Sequence, residues 1–159
     1  MRVSFTLNGK AVHIDAPATL RLVDLLHDHL EIHSLHPSCY GGECGNCAIL
    51  LNGELTYSCT LPAFAAEGGS IHTFEGLSLS PEYGDIVNGF REENTFPCAY
   101  CLPSKVIITQ SILERTMDPE GEEVMEMLAG TYCPCTNFRK LAKGVLKAAS
   151  YRRRRLHGR

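Results

Sequence analysis

Hydrophobic and polar residues alternate at the start of the chain, with Val3, Phe5 and Leu7 set between Arg2, Ser4 and Thr6. A period of two predicts a strand with one buried face. Asn8-Gly9 follows, a pair that favours the two-residue type I′ turn, and Ala11 to Ile14 is the expected return strand. The period then changes. Between Leu20 and Leu30, residues Val23, Leu26 and Leu30 recur at spacings of three and four, with Leu22 widening the stripe and Thr19 placed as N-cap. After a loop from about His33 to Asn46 a second hairpin is expected. Ala48 to Leu51 turns at Asn52-Gly53 into Glu54 to Tyr57. A hairpin, a helix and a hairpin predict a small mixed sheet with the helix packed across it.

The segment Glu75 to Glu82, EGLSLSPE, breaks the pattern, and a domain boundary is expected there. Beyond it the period is helical. Val106, Leu113 and Met117 share a stripe with Ile108 and Ile112 beside it, and Asp118-Pro119-Glu120-Gly121 is a break. Val124, Met127 and Leu128 predict a short helix ending near Gly130. Phe138, Leu141, Ala142, Val145, Leu146 and Ala149 then repeat at three and four. The fold class is therefore α+β. A sheet-bearing domain spans 1–76, a helical domain 77–150, and a basic tail 151–159.

A chain of 159 residues, 44% hydrophobic and 21% charged, suits one globular domain or two small ones. The start, MRVSFTLNGK, lacks the apolar core of a secretory signal, and no run reaches membrane-span length. A cytoplasmic protein with no membrane contact is expected. The net charge is −3, yet Arg152 to Arg155 and Arg159 supply five positive charges, without which the remainder carries −8. So acidic a body argues against nucleic-acid binding. The arginine run reads as a solvated, frayed terminus.

The chemistry sits in eight cysteines, in two sets of four. Cys39, Cys44, Cys47 and Cys59 read C-x4-C-x2-C-x11-C, the plant-type ferredoxin spacing for a 2Fe–2S cluster. The loop between them, CYGGECGNC, holds Gly41, Gly42 and Gly45, which let the backbone bend and bring N–H groups close to sulfur. His27, His29, His33 and His36 precede the loop, but four thiolates leave no vacancy for them and they read as helix-surface and loop residues. Cys98 and Cys101 start one helical pattern. Cys133 and Cys135 precede another, with Thr136 or Asn137 able to cap it. Helix N-termini favour thiolates and an anionic cluster. By spacing alone this second set suits zinc or iron. Disulfides are disfavoured by a reducing compartment and by the closeness of Cys133 to Cys135.

The runs CYGGECGNC…C and CAYCLPS…AGTYCPCTNF, in that order over residues 1 to about 150, resemble the small iron–sulfur subunit of the molybdenum hydroxylases, the xanthine dehydrogenase and aldehyde oxidase family. The resemblance implies a β-grasp ferredoxin-like domain followed by an all-helical domain. It implies one 2Fe–2S cluster on Cys39, Cys44, Cys47 and Cys59 and a second on Cys98, Cys101, Cys133 and Cys135. The chain also departs from the family. Where relatives usually carry Gln-Cys-Gly-Phe-Cys-Thr-Pro-Gly, it has Pro97-Cys98-Ala99-Tyr100-Cys101-Leu102-Pro103-Ser104. Where they carry Asn-Leu-Cys-Arg-Cys-Thr-Gly-Tyr, it has Thr131-Tyr132-Cys133-Pro134-Cys135-Thr136-Asn137-Phe138. All cysteines are kept. The glutamine that reaches toward the pterin is replaced by Pro97, which has no donor to offer.

The function that the resemblance implies is electron transfer within an oxidoreductase complex. Single electrons pass from a large molybdenum–pterin subunit, through the helical cluster and then the ferredoxin-like one, to an FAD-binding subunit or another acceptor. The chain has no dinucleotide fingerprint and no room for a substrate pocket, so no catalysis is expected from it alone. A hetero-oligomer is expected, with a dimer of heterotrimers as its form, and purine oxidation is the default reaction of the complex. The alternatives are a free-standing ferredoxin-like carrier and a zinc-stapled adaptor.

Overall fold

The computed structural model describes residues 1–129, 131 and 133–158; the expected helix stop at Gly130, Tyr132 of the second motif and Arg159 of the tail lie outside them. Strands β1 (Arg2–Leu7) and β2 (Lys10–Asp15) form the first hairpin, and β3 (Ala48–Leu51) and β4 (Glu54–Tyr57) the second. Both turns are of the expected kind, with Asn8 and Gly9, and Asn52 and Gly53, at positive φ. A fifth strand, β5 (Ser70–His72), goes beyond what the sequence pattern predicts. It joins the hairpins into one sheet of order β2-β1-β5-β3-β4, parallel to β1 and antiparallel to β3. Three residues with a single buried side chain, Ile71, are too short to show a period.

The expected helix at Leu20–Leu30 starts later and is wound differently. Arg21 forms a β-bridge with Pro62, so α1 begins at Leu22 and Thr19 caps nothing. After Asp24 the chain widens into a π-type turn, Leu25–His29, in which Leu30 N–H donates to Leu25 O at 3.1 Å. Leu22 and Val23 of α1 and Leu25 and Leu26 of the wider turn are buried in one core with the sheet.

The helical half contains α2 (Phe74–Leu77), α3 (Pro81–Glu92), α4 (Leu102–Arg115), α5 (Gly121–Ala129) and α6 (Phe138–His157). Helix α3 is a further addition to the predicted elements, although Ile86, Val87 and Phe90 carry a helical spacing and Pro81 stands at its first turn. Strand β3 explains how the halves join. Ile49 packs on the α1 side, whereas Ala48 and Leu50 belong to the core formed with α3, α4 and α6. A strand buried on both faces reads as continuous apolar sequence, here AILL.

The arginine run is no frayed tail. It forms the last two turns of α6, ended by Gly158 at φ 68°. Arg152 is 5% exposed and donates to Gln110 Oε1 at 2.6 Å. Its Nε lies 3.5 Å from Asp85 Oδ2. Arg155 grips the same carboxylate with Nε at 3.0 Å and Nη2 at 2.8 Å from Oδ2. Asp85 sits near the start of α3, so these contacts dock α6 onto α3. Among the described residues no helix is long and apolar enough to cross a membrane.

Candidate metal centres

The first cysteine set lies at one end of the sheet. Cys47 ends the loop just before β3, and Cys59 stands in a tight turn, Ser58–Thr60, just after β4. The two are held side by side because Ser58 donates both its N–H (3.1 Å) and its hydroxyl (2.9 Å) to Cys47 O. Cys47 and Cys59 are buried, 1% and 3% exposed, while Cys44 is half-buried and Cys39 exposed. Burial pushes the Cys47 thiol up to about 12. Around Cys39 the loop does the opposite. The N–H groups of Gly41, Glu43 and Cys44 approach its sulfur at 3.4, 3.2 and 3.3 Å. These donors, that of Cys44 foremost, draw its pKa down to about 6. The loop can aim three N–H groups at one sulfur because Gly42 and Gly45 take positive φ, at +77° and +75°.

The second set is built at two helix starts. Cys101 is the residue before α4, 3% exposed, and Cys98 O accepts from Cys101 N (3.0 Å) and Leu102 N (2.9 Å). Cys133 and Cys135 lie in the turn before α6. Asn137, one of the two expected caps, accepts there from Arg139 N (2.9 Å) and Lys140 N (3.3 Å). The four thiols are in mutual contact: Cys98 with Cys101 and Cys135, and Cys133 with Cys101 and Cys135. Burial lifts Cys101 to about 12, whereas the Cys101 N–H lowers Cys98.

The two sets face a common cleft of about 370 Å³, lined by Cys44 from the first and by Cys98, Cys101 and Cys135 from the second. Two of the residues that close this junction, Tyr100 and Ser104, lie in the run Pro97 to Ser104. Tyr100 shares a hydrogen bond with Ser38 (2.9 Å) and stacks on His36 with ring centroids 4.3 Å apart. Ser104 donates to Asn46 Oδ1 at 3.3 Å. His36 is a loop residue, as expected, and Tyr100 is its stacking partner.

Sequence reasoning also misses Lys105. It lies one turn into α4 and is 1% exposed, and its Nζ has no hydrogen-bond partner among the described residues. It borders a small cavity with Thr131, Cys133 and Thr136. Burial lowers its pKa, and the sulfurs of Cys133, Cys101 and Cys44 work against that. The available signal is a charge at the edge of the largely apolar stretch VIITQSIL.

These features fit 2Fe–2S groups. In the first set the sulfurs meet in pairs, Cys39 with Cys44 and Cys47 with Cys59, and a 2Fe–2S cluster takes two sulfurs per iron. Three N–H groups on one sulfur and a buried, unpartnered ammonium beside the second set suit anionic occupants.

Residues 5–71 match the family described as "2Fe-2S iron-sulfur cluster binding domain", and residues 73–146 match "[2Fe-2S] binding domain". The chain is 36% identical over 153 residues to a probable xanthine dehydrogenase subunit from Bacillus subtilis, covering 96% of this chain and 86% of that one. It is 30% identical to the nicotinate dehydrogenase small FeS subunit of Eubacterium barkeri, covering 90% and 91%. Its fold superposes on quinoline 2-oxidoreductase from Pseudomonas putida 86 with a TM-score of 0.88 at 30% identity, over 99% of this chain and 97% of that one. The chain therefore belongs to the family of small iron–sulfur subunits of the molybdenum hydroxylases. It is an iron–sulfur component of an oxidoreductase, with two 2Fe–2S clusters as its cofactors.

Proposed function

We propose that this chain is the electron-transfer subunit of a cytoplasmic molybdenum hydroxylase. Cys39, Cys44, Cys47 and Cys59 hold one cluster within residues 1–76, and Cys98, Cys101, Cys133 and Cys135 hold the other within residues 77–150. Each 2Fe–2S cluster supplies a centre that takes up and releases one electron at a time. The carrying observation is the shared cleft, in which Cys44 of one set faces Cys98, Cys101 and Cys135 of the other. Two sites opening on one cleft suit transfer between them.

The residues around each site have distinct tasks. The N–H groups of Gly41, Glu43 and Cys44 offset negative charge at Cys39, the most exposed thiol of its set. The Ser58–Cys47 contacts hold the two buried thiols in register with the sheet. Cys101 and Asn137 fix the second set to the starts of α4 and α6. Tyr100, Ser38, Ser104 and Asn46 keep the two sites together.

The partners in this reading are a large molybdenum–pterin subunit and an FAD-binding subunit, assembled as a dimer of heterotrimers, with xanthine dehydrogenase-like chemistry on the large subunit. Affinity purification of the tagged chain from its native cells tests this. Two co-purifying subunits carrying molybdenum and FAD are expected. Recovery of the chain alone with both clusters loaded would favour a free-standing carrier.

A further inference from the structure

We infer that the Lys105 ammonium is the buried counter-charge of the second cluster, set on its side toward the first, and that it eases one-electron reduction there. The inference rests on the cluster-binding role proposed for Cys98, Cys101, Cys133 and Cys135.

Among the described residues, Lys105 is the fully buried cation that the fold leaves without an acid. The other buried cation, Arg152, has Asp85 and Gln110. Lys105 Nζ has no hydrogen-bond partner among the described residues, and the residue is 1% exposed. An ammonium group so placed carries a large desolvation cost unless an anion answers it. The charges it faces are the sulfurs of Cys133 and Cys101 in the second set and Cys44 in the first. It shares its cavity with Cys133 and with Thr131, and Thr131 in turn packs over Gly45 of the first loop. Lys105 therefore stands where the two cysteine loops meet, nearer in its contacts to the second.

Four thiolates, two sulfides and two ferric ions sum to −2, and one added electron makes −3. A fixed positive charge favours the more negative state. In a buried setting its effect on the equilibrium is roughly tenfold or more. Reduction of the helical site is accordingly easier with Lys105 than without it, and Lys105 is a positioning charge, not a catalytic residue.

The test is an EPR-monitored redox titration of the holoprotein and of two variants, Lys105→Met and Lys105→Arg, with iron counted in each. The signal of the second cluster is assigned by its loss in Cys135→Ser. Lys105→Met removes the charge and keeps an apolar side chain of similar length. Its second-cluster potential is expected to fall by a factor of ten in the reduction equilibrium, about 59 mV for one electron. The first cluster should move less, and Lys105→Arg should stay near wild type. Loss of the second cluster from Lys105→Met alone supports the same role. Unchanged potentials in a fully loaded Lys105→Met would overturn it. So would equal defects in the Met and Arg variants, which would assign Lys105 to packing. A wild-type protein lacking the second cluster would instead defeat the cluster assignment itself.

Discussion

Gly45 and Thr131 lock the two cysteine loops together: a Cβ at Gly45 would stand 2.7 Å from Thr131 Cγ2. Gly45 also holds φ at +75°, which an L-residue reaches at a cost of about 1–2 kcal/mol. Gly45→Ala should destabilise the protein by about 2 kcal/mol in urea unfolding, from strain and crowding together. It should also speed bleaching of the visible absorbance. Thr131→Ser removes the offending methyl, so the double variant should regain part of the loss and leave the backbone strain. Additive effects would mean that the loops are not in contact.

A second close approach holds the helices. A Cβ on Gly89 in α3 would lie 2.5 Å from Gly144 O and Ala148 N in α6. Backbone cannot yield as a side chain can. Gly89→Ala should cost about 1–3 kcal/mol through overpacking, although alanine favours a helix. A stability equal to or above wild type in thermal unfolding would contradict the packing described.

The arginine-rich end of α6 is structural. Asp85→Ala leaves Arg152 buried and without its carboxylate, at a cost of about 3–5 kcal/mol. A chain ended after Ser150 should be destabilised at least as much, because it loses Arg152 and Arg155 together. A truncated protein with an unchanged melting temperature would restore the picture of a solvated tail.

The thiols of the cluster-free protein should differ in reactivity with pH. Cys39 is drawn down to about 6 by backbone N–H groups, so it is a thiolate above that pH. Cys47, pushed up to about 12 by burial, stays protonated and shielded. After chelation of the iron, iodoacetamide at pH 7 should modify Cys39 first, with a rate that falls as the pH drops through about 6. Peptide mapping by mass spectrometry checks the order. Modification of Cys47 ahead of Cys39 would contradict the loop geometry.

Much of this is legible from local pattern. Both hairpins announce themselves through Asn-Gly pairs, and the turns have the positive φ values those pairs favour. The fold brings Cys98, Cys101, Cys133 and Cys135 together and, in the first set, pairs Cys39 with Cys44 and Cys47 with Cys59. What escapes depends on partners distant in sequence. Strand β5 has one buried residue and is defined by pairing with Thr6, Leu7, Leu50 and Leu51. The late start of α1 depends on Pro62, and the order of the arginines on Asp85, 67 residues before Arg152. Helix α3 is a different case, since its apolar spacing is present in the sequence and goes unused in the reading of it. Tyr100 and Ser104 stand out as departures from the family, but their contacts with Ser38 and Asn46 appear only once the halves are packed.

The central claim is most directly tested by counting iron and acid-labile sulfide in anaerobically purified protein, with EPR of the dithionite-reduced sample. About four irons, about four sulfides and two distinct spin-½ signals per chain are predicted. About two irons with a single signal would contradict the account, because one of the two cysteine sets would then hold no cluster.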